Sequence, residues 1–145
     1  MINRFCSGLL VGLLGLIVTP RVLAENTMYQ PLPISSGQEI DDILSDADIP
    51  TGEGGFARDY LVNLQEGDQV AIDLLSDDFD SMVVLLATDG STVSENDDGP
   101  DGSTNSLLFV RITETDKYIV RVRAFGEAGG GSFSLKVTRL QPIEE

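Results

Sequence analysis

From Ala57 onward, apolar residues recur at every second position in short bursts set apart by turn residues. Residues 57–64 place Tyr60, Val62 and Leu64 on one face, and residues 69–75 place Val70, Ile72 and Leu74 on one face with Asp73 opposite. A period of two predicts half-buried strands. Gln65-Glu66-Gly67-Asp68 lies between these two segments and reads as a hairpin-like turn, with Gly67 where a positive φ is easiest. Residues 82–87 are continuously apolar and β-branched at the centre, which suits a strand buried on both faces. Thr88-Asp89-Gly90-Ser91 supplies the next turn. Residues 106–112 then direct Leu108, Val110 and Ile112 inward and Arg111 outward.

The clearest alternation is at residues 117–125, with Tyr118, Val120, Val122 and Ala124 facing in and Lys117, Arg121 and Arg123 facing out. Phe133, Leu135 and Val137 repeat it against Ser134, Lys136 and Thr138, and Gly129-Gly130-Gly131 joins the last two strands. The inward set also takes Val84 and Leu86 from the apolar run. Residues 38–44 fit a strand better than a short helix. Short strands at this spacing, seven or eight in all, predict an all-β fold, an antiparallel β-sandwich of jelly-roll-like kind. Arg121 and Arg123 are expected as solvent-facing partners for carboxylates, so that Arg121→Ser costs about half a kcal/mol or less while Val120→Asp unfolds the domain.

The first residues follow a different pattern. Arg4 precedes an uncharged apolar run over residues 5–18, and Val22-Leu23-Ala24 follows Pro20. This is the form of a secretory signal peptide, and the run is too short for the roughly 20 residues that span a bilayer. A retained anchor is the competing reading. Cleavage after Ala24 would remove Cys6, the single cysteine, and leave no membrane attachment. Residues 25–36 contain Pro31 and Pro33 and read as an extended leader, residues 37–140 as the sandwich and residues 141–145 as a tail.

The chain of 145 residues carries 9 basic and 24 acidic residues, no His and no Trp. Residues 1–24 hold two arginines and no acid, so processing leaves seven basic against 24 acidic residues, a net charge of −17. Such a surface argues against nucleic acid, whose phosphates need basic patches. The missing His removes a triad base and His metal ligands. No Ser-x-x-Lys pattern substitutes for it, and Gly129-Gly130-Gly131 lacks the lysine and helix of a phosphate loop.

Three acidic clusters remain: Asp77-Asp78-Phe79-Asp80, residues 95–102 from Glu95 to Gly102, and Asp41-Asp42 with Asp46 and Asp48. Calcium takes six to eight hard oxygens from flexible loops. Asp80, Asn96, Asp97, Asp98 and Asp101 are the candidate ligands, although the spacing is not that of an EF-hand. The competing reading is that these acids cap turns and solvate loops.

Taken in order, several motifs resemble the bacterial pre-peptidase C-terminal (PPC) domain family over residues 34–140. Gly37-Gln38-Glu39-Ile40 looks like its opening strand and Phe56 through Leu64 like its Tyr-x-Val-x-Leu strand. Glu66-Gly67-Asp68-Gln69-Val70, Asp78-Phe79-Asp80, Asn96-Asp97-Asp98, Asp116-Lys117-Tyr118 and Gly131-Ser132-Phe133 follow in the family's order. Asp116-Lys117 stands where the family usually has Gly before Tyr, and Phe133 stands in a usual Tyr place. The resemblance implies a non-catalytic sandwich found beside secreted peptidases, with calcium as an occasional structural ion. The partner it implies is an extracellular or periplasmic protein or polysaccharide, or a secreted peptidase acting in trans. The alternatives are an envelope or matrix component assembled through divalent ions and a small carboxylate-based hydrolase.

Overall fold

The structure, a computed structural model, describes residues 29–52, 54–126 and 129–141. The expected signal segment and nearly all of the C-terminal tail lie outside them. The described residues form ten strands and no helix: β1 Leu32–Pro33, β2 Glu39–Leu44, β3 Ile49–Pro50, β4 Phe56–Leu64, β5 Gln69–Leu75, β6 Ser81–Ala87, β7 Thr92–Asn96, β8 Ser106–Arg111, β9 Asp116–Ala124 and β10 Gly131–Arg139. One sheet runs β1-β4-β9-β6-β7, with β3 also on β4, and the other runs β2-β10-β5-β8. Every pairing is antiparallel except β1 on β4. The fold is the expected antiparallel β-sandwich, and the expected count matches the strands longer than two residues.

The core lies where alternation places it. Tyr60, Val62, Leu64, Val70, Ile72, Leu74, Val120, Val122, Leu135 and Val137 are each at most 1% exposed and pack between the sheets. Fully burying one such aliphatic side chain contributes about 1.5–3 kcal/mol before the entropy of ordering it. The edge-to-face contact of Tyr60 with Phe133, at 6.4 Å between ring centroids, joins the two sheets.

Four expectations need correction. The turn Gln65–Asp68 does not close a hairpin, because β4 and β5 lie in different sheets. Gly67 does take a positive φ of 89°, and its N–H donates to the Ile112 carbonyl, so the turn arches from one sheet to the other. The leader is not free of the sheets: Leu32 and Pro33 pair with Tyr60 and Leu61, and Ile34 is buried. In β6 the main core takes Val83 and Leu85, not Val84 and Leu86. The latter pack with Met82 and Ile119 on the opposite face of the sheet, a distinction that a run without alternation does not carry. Arg121, finally, is engaged in a buried ion pair.

Candidate functional site

Arg121 on β9 and Asp59 on β4 stand in register on the outer face of the larger sheet. Arg121 donates from Nε and Nη2 to the two Asp59 oxygens, each at 2.8 Å, and the Tyr29 hydroxyl donates to the same carboxylate. The Asp59 side chain is only 1% exposed. Burial and the bond to Asp59 push the Tyr29 hydroxyl up to about 12. The segment before β1 covers an outward position and turns it into a buried one.

The third acidic cluster is a clamp. Arg58 on β4 donates to Asp42 Oδ2 at 2.7 Å and to Asp48 Oδ1 at 2.6 Å, and the Tyr60 hydroxyl donates to Asp42. Burial alone would raise the Asp42 carboxyl. The Ile43 N–H, the Tyr60 hydroxyl and the Arg58 charge outweigh it and hold the group below the usual carboxylate range. Burial and Asp42 together raise the Tyr60 phenol. The clamp ties β2 of one sheet to β4 of the other.

The first cluster is organised by Ser76, whose Oγ donates to the Ser132 carbonyl and accepts the N–H groups of Asp78 and Phe79. Phe79 turns into the core against Phe133, while the Asp80 carbonyl accepts the Phe125 N–H. Asp78 accepts the Ser132 N–H at 2.7 Å. That approach is so close that a Cβ on Gly131, where φ is 137°, would stand 2.4 Å from the Asp78 Cβ. Beside this loop opens a groove of about 740 Å³ on the smaller sheet. Asp41, Asp77 and Asp78 stand around it with Ile43 and Leu75, which are 58% and 48% exposed.

In the second cluster, Asn96 Nδ2 donates to the carbonyls of Asp98 and Leu107, and its Oδ1 accepts the Asp97 and Asp98 N–H groups. The Asp98 carbonyl accepts the Leu107 N–H. Asp101 accepts both the Ser103 hydroxyl and its N–H, which lower the Asp101 carboxyl below its ordinary value. Asn96 therefore pins β7 and its loop to β8, and Asp101 closes a turn. Among the described residues no three acidic side chains converge on a common point that could hold a metal ion. Asn96 Oδ1 and Asp101 Oδ1 thus accept bonds from within the loop itself.

The sequence drew attention to Asp80, Asn96, Asp97, Asp98 and Asp101, and their motif residues set loop geometry. It did not single out the groove. The signal available there was that Ile43 and Leu75 are apolar at outward positions of otherwise alternating strands.

Two twisted sheets with a packed interior and polar loops define a β-sandwich module. Residues 57–124 match the family model of the bacterial pre-peptidase C-terminal domain, so the resemblance read from the motifs holds over that span. No curated protein sequence matches the chain. The structure is similar to the pre-peptidase C-terminal domain of a collagenase from Bacillus anthracis, with 14% identity, a TM-score of 0.58, and 79% of this chain and all of that one covered. It is also similar to PliG of Aeromonas hydrophila, a periplasmic inhibitor of g-type lysozyme, with 12% identity, a TM-score of 0.57, and 76% and 96% coverage. Identities this low establish a shared fold.

Proposed function

We propose that the protein is an exported, non-catalytic binding module that docks onto a secreted protein through the outer face of its smaller sheet. The groove between β2, β10 and the β5–β6 loop carries the reading: exposed Ile43 and Leu75 sit among Asp41, Asp77 and Asp78. An apolar centre with a polar rim is the anatomy of a protein-binding patch. Among the described residues no exposed aromatic ring lines the groove, which favours a protein over a polysaccharide. Two fold neighbours add support, since one is a domain of a collagenase and the other an inhibitor of a lysozyme. Export is the reading of the N-terminal run, and periplasm and extracellular space both suit it.

Biolayer interferometry against a collagenase without its own such domain, and against a g-type lysozyme, tests the reading. Saturable binding to one of them, abolished by Ile43→Asp with Leu75→Asp, is the expected result. Absence of binding to both, together with calcium-dependent light scattering by the protein alone, would replace the module with the self-assembling matrix component.

A further inference from the structure

Five elements lie at the margins of the two sheets, and four of them are protected against further strand pairing. β1 and β3 contain Pro33 and Pro50. In β2, Asp42 turns toward the Arg58 clamp and its carboxylate takes the Ile43 N–H. β7 is five residues long and carries an exposed Glu95. Proline, inward charge and short length are the usual ways of blunting an edge. β8 has none of these. It reads Ser-Leu-Leu-Phe-Val-Arg and ends the order β2-β10-β5-β8.

The ladder shows which backbone groups of β8 are free. The Leu107 N–H and carbonyl point away from β5, to the Asp98 carbonyl and the Asn96 amide. Backbone direction alternates along a strand, so Phe109 and Arg111 point the same way as Leu107. The Ile112 N–H, of opposite parity, does reach back to the Asp68 carbonyl. The N–H and C=O groups of Phe109 and Arg111 have no partner among the described residues. The Phe109 ring, at 63%, is also the most exposed large apolar side chain described.

We infer that the free edge of β8 accepts an extended, basic peptide segment as a fifth strand of the smaller sheet. This rests on the binding-module reading and gives it a second contact site and a partner chemistry. The backbone groups of Phe109 and Arg111 supply the strand pairing, and the Phe109 ring supplies an apolar anchor, as in strand addition generally. Charge selects the segment. The loop pinned beside the Leu107 end of the edge carries Asp97 and Asp98, β7 before it carries Glu95, and Arg111 is the one basic residue of β8. A net charge of −17 for the processed chain also disfavours a second copy pairing β8 to β8.

The test uses capped eight-residue peptides added to the purified exported protein: alternating Lys and Val, alternating Glu and Val, and the Lys–Val peptide fully N-methylated. Anisotropy reports binding, and NMR amide exchange reports its place. The expected result is binding of the Lys–Val peptide alone, weakened by salt, with exchange slowed at Phe109 and Arg111. Phe109→Ala, at an exposed position that leaves the fold intact, should weaken it about tenfold. Phe109→Pro removes an edge donor without touching the β5 ladder and should abolish it. Equal binding of the Glu–Val or N-methylated peptide overturns the inference, as does binding that leaves the Phe109 and Arg111 amides exchanging freely, or no binding at all. The titration against the two enzymes judges the module reading separately, because its variants lie in the groove and not on β8.

Discussion

Replacing Asp59 by Ala probes how the N-terminal segment is held. The carboxylate is 1% exposed and accepts two bonds from Arg121 and one from Tyr29. Removing one partner of a buried ion pair costs about 3–5 kcal/mol, because the other charge is left uncompensated. Arg121 is 31% exposed, so water recovers part of that loss and places the pair at the low end. The Tyr29 bond to a charged acceptor is worth about 1.5–3 kcal/mol in a buried setting. Tyr29 is half exposed, which reduces it to roughly 1 kcal/mol. Asp59→Ala should therefore cost about 3 kcal/mol and Tyr29→Phe about 1 kcal/mol. The double variant should fall short of their sum by about 1 kcal/mol, since the Tyr29 bond is lost only once. Urea melts at pH 7 measure all four proteins, and with a slope near 2 kcal/mol/M the Asp59 variant should lose about 1.5 M in midpoint. A loss below about 1 kcal/mol for Asp59→Ala would refute the buried pair. Strict additivity with Tyr29→Phe would refute the docking of the segment that leads into β1.

Arg121→Ser should cost well over 1 kcal/mol by the same melts, because it strands the buried Asp59 carboxylate; a loss within half a kcal/mol would return Arg121 to an exposed role. Val120→Asp should leave no folded baseline in circular dichroism, since Val120 is 0% exposed between the sheets. The Asp42 carboxyl lies below its ordinary value in the folded protein, so its contribution is present at neutral pH and lost as pH falls through that lowered value. The stability difference between the protein and Asp42→Asn should accordingly shrink from pH 6 toward pH 3, and a constant difference would show that the Arg58 clamp does not set it. Millimolar calcium should raise the melting temperature of metal-free protein, and Asp97→Asn should weaken that response; an unmoved melting curve would leave the acids of this loop as turn residues.

Strand faces were legible wherever polar and apolar residues alternate, as in β9, because the side-chain period of a strand is local. The partners of those strands were not. The Gln65–Asp68 turn has the residues of a hairpin, and only the pairing of β4 with β9 and of β5 with β8 and β10 shows that it arches between sheets. β1 has two residues, one of them proline, so it has no period to read. The same distance effect hid Asp59: alternation puts it on the outer face, and a residue 30 positions upstream buries it. The acids of the loop after β7 were conspicuous, but the bonds of Asn96 and the Asp98 carbonyl to β8 depend on a fold-level neighbour. The groove and the β8 edge belong to the assembled sheet, and no single segment of sequence announces either.

The place of β10 bears on when the chain can fold. The last described strand lies between β2 and β5, and among the described residues it is the only element that joins β2 to the rest of its sheet. Until residue 139 is available, the smaller sheet is in two pieces and the interior stays wet on one side. Its partners are distant in sequence, with Lys136 opposite Glu39, so folding is dominated by long loop closures and is slow. A sheet whose centre is filled by β10 remains open until that strand has been synthesised. The compact sandwich forms only once β10 has bridged β2 and β5.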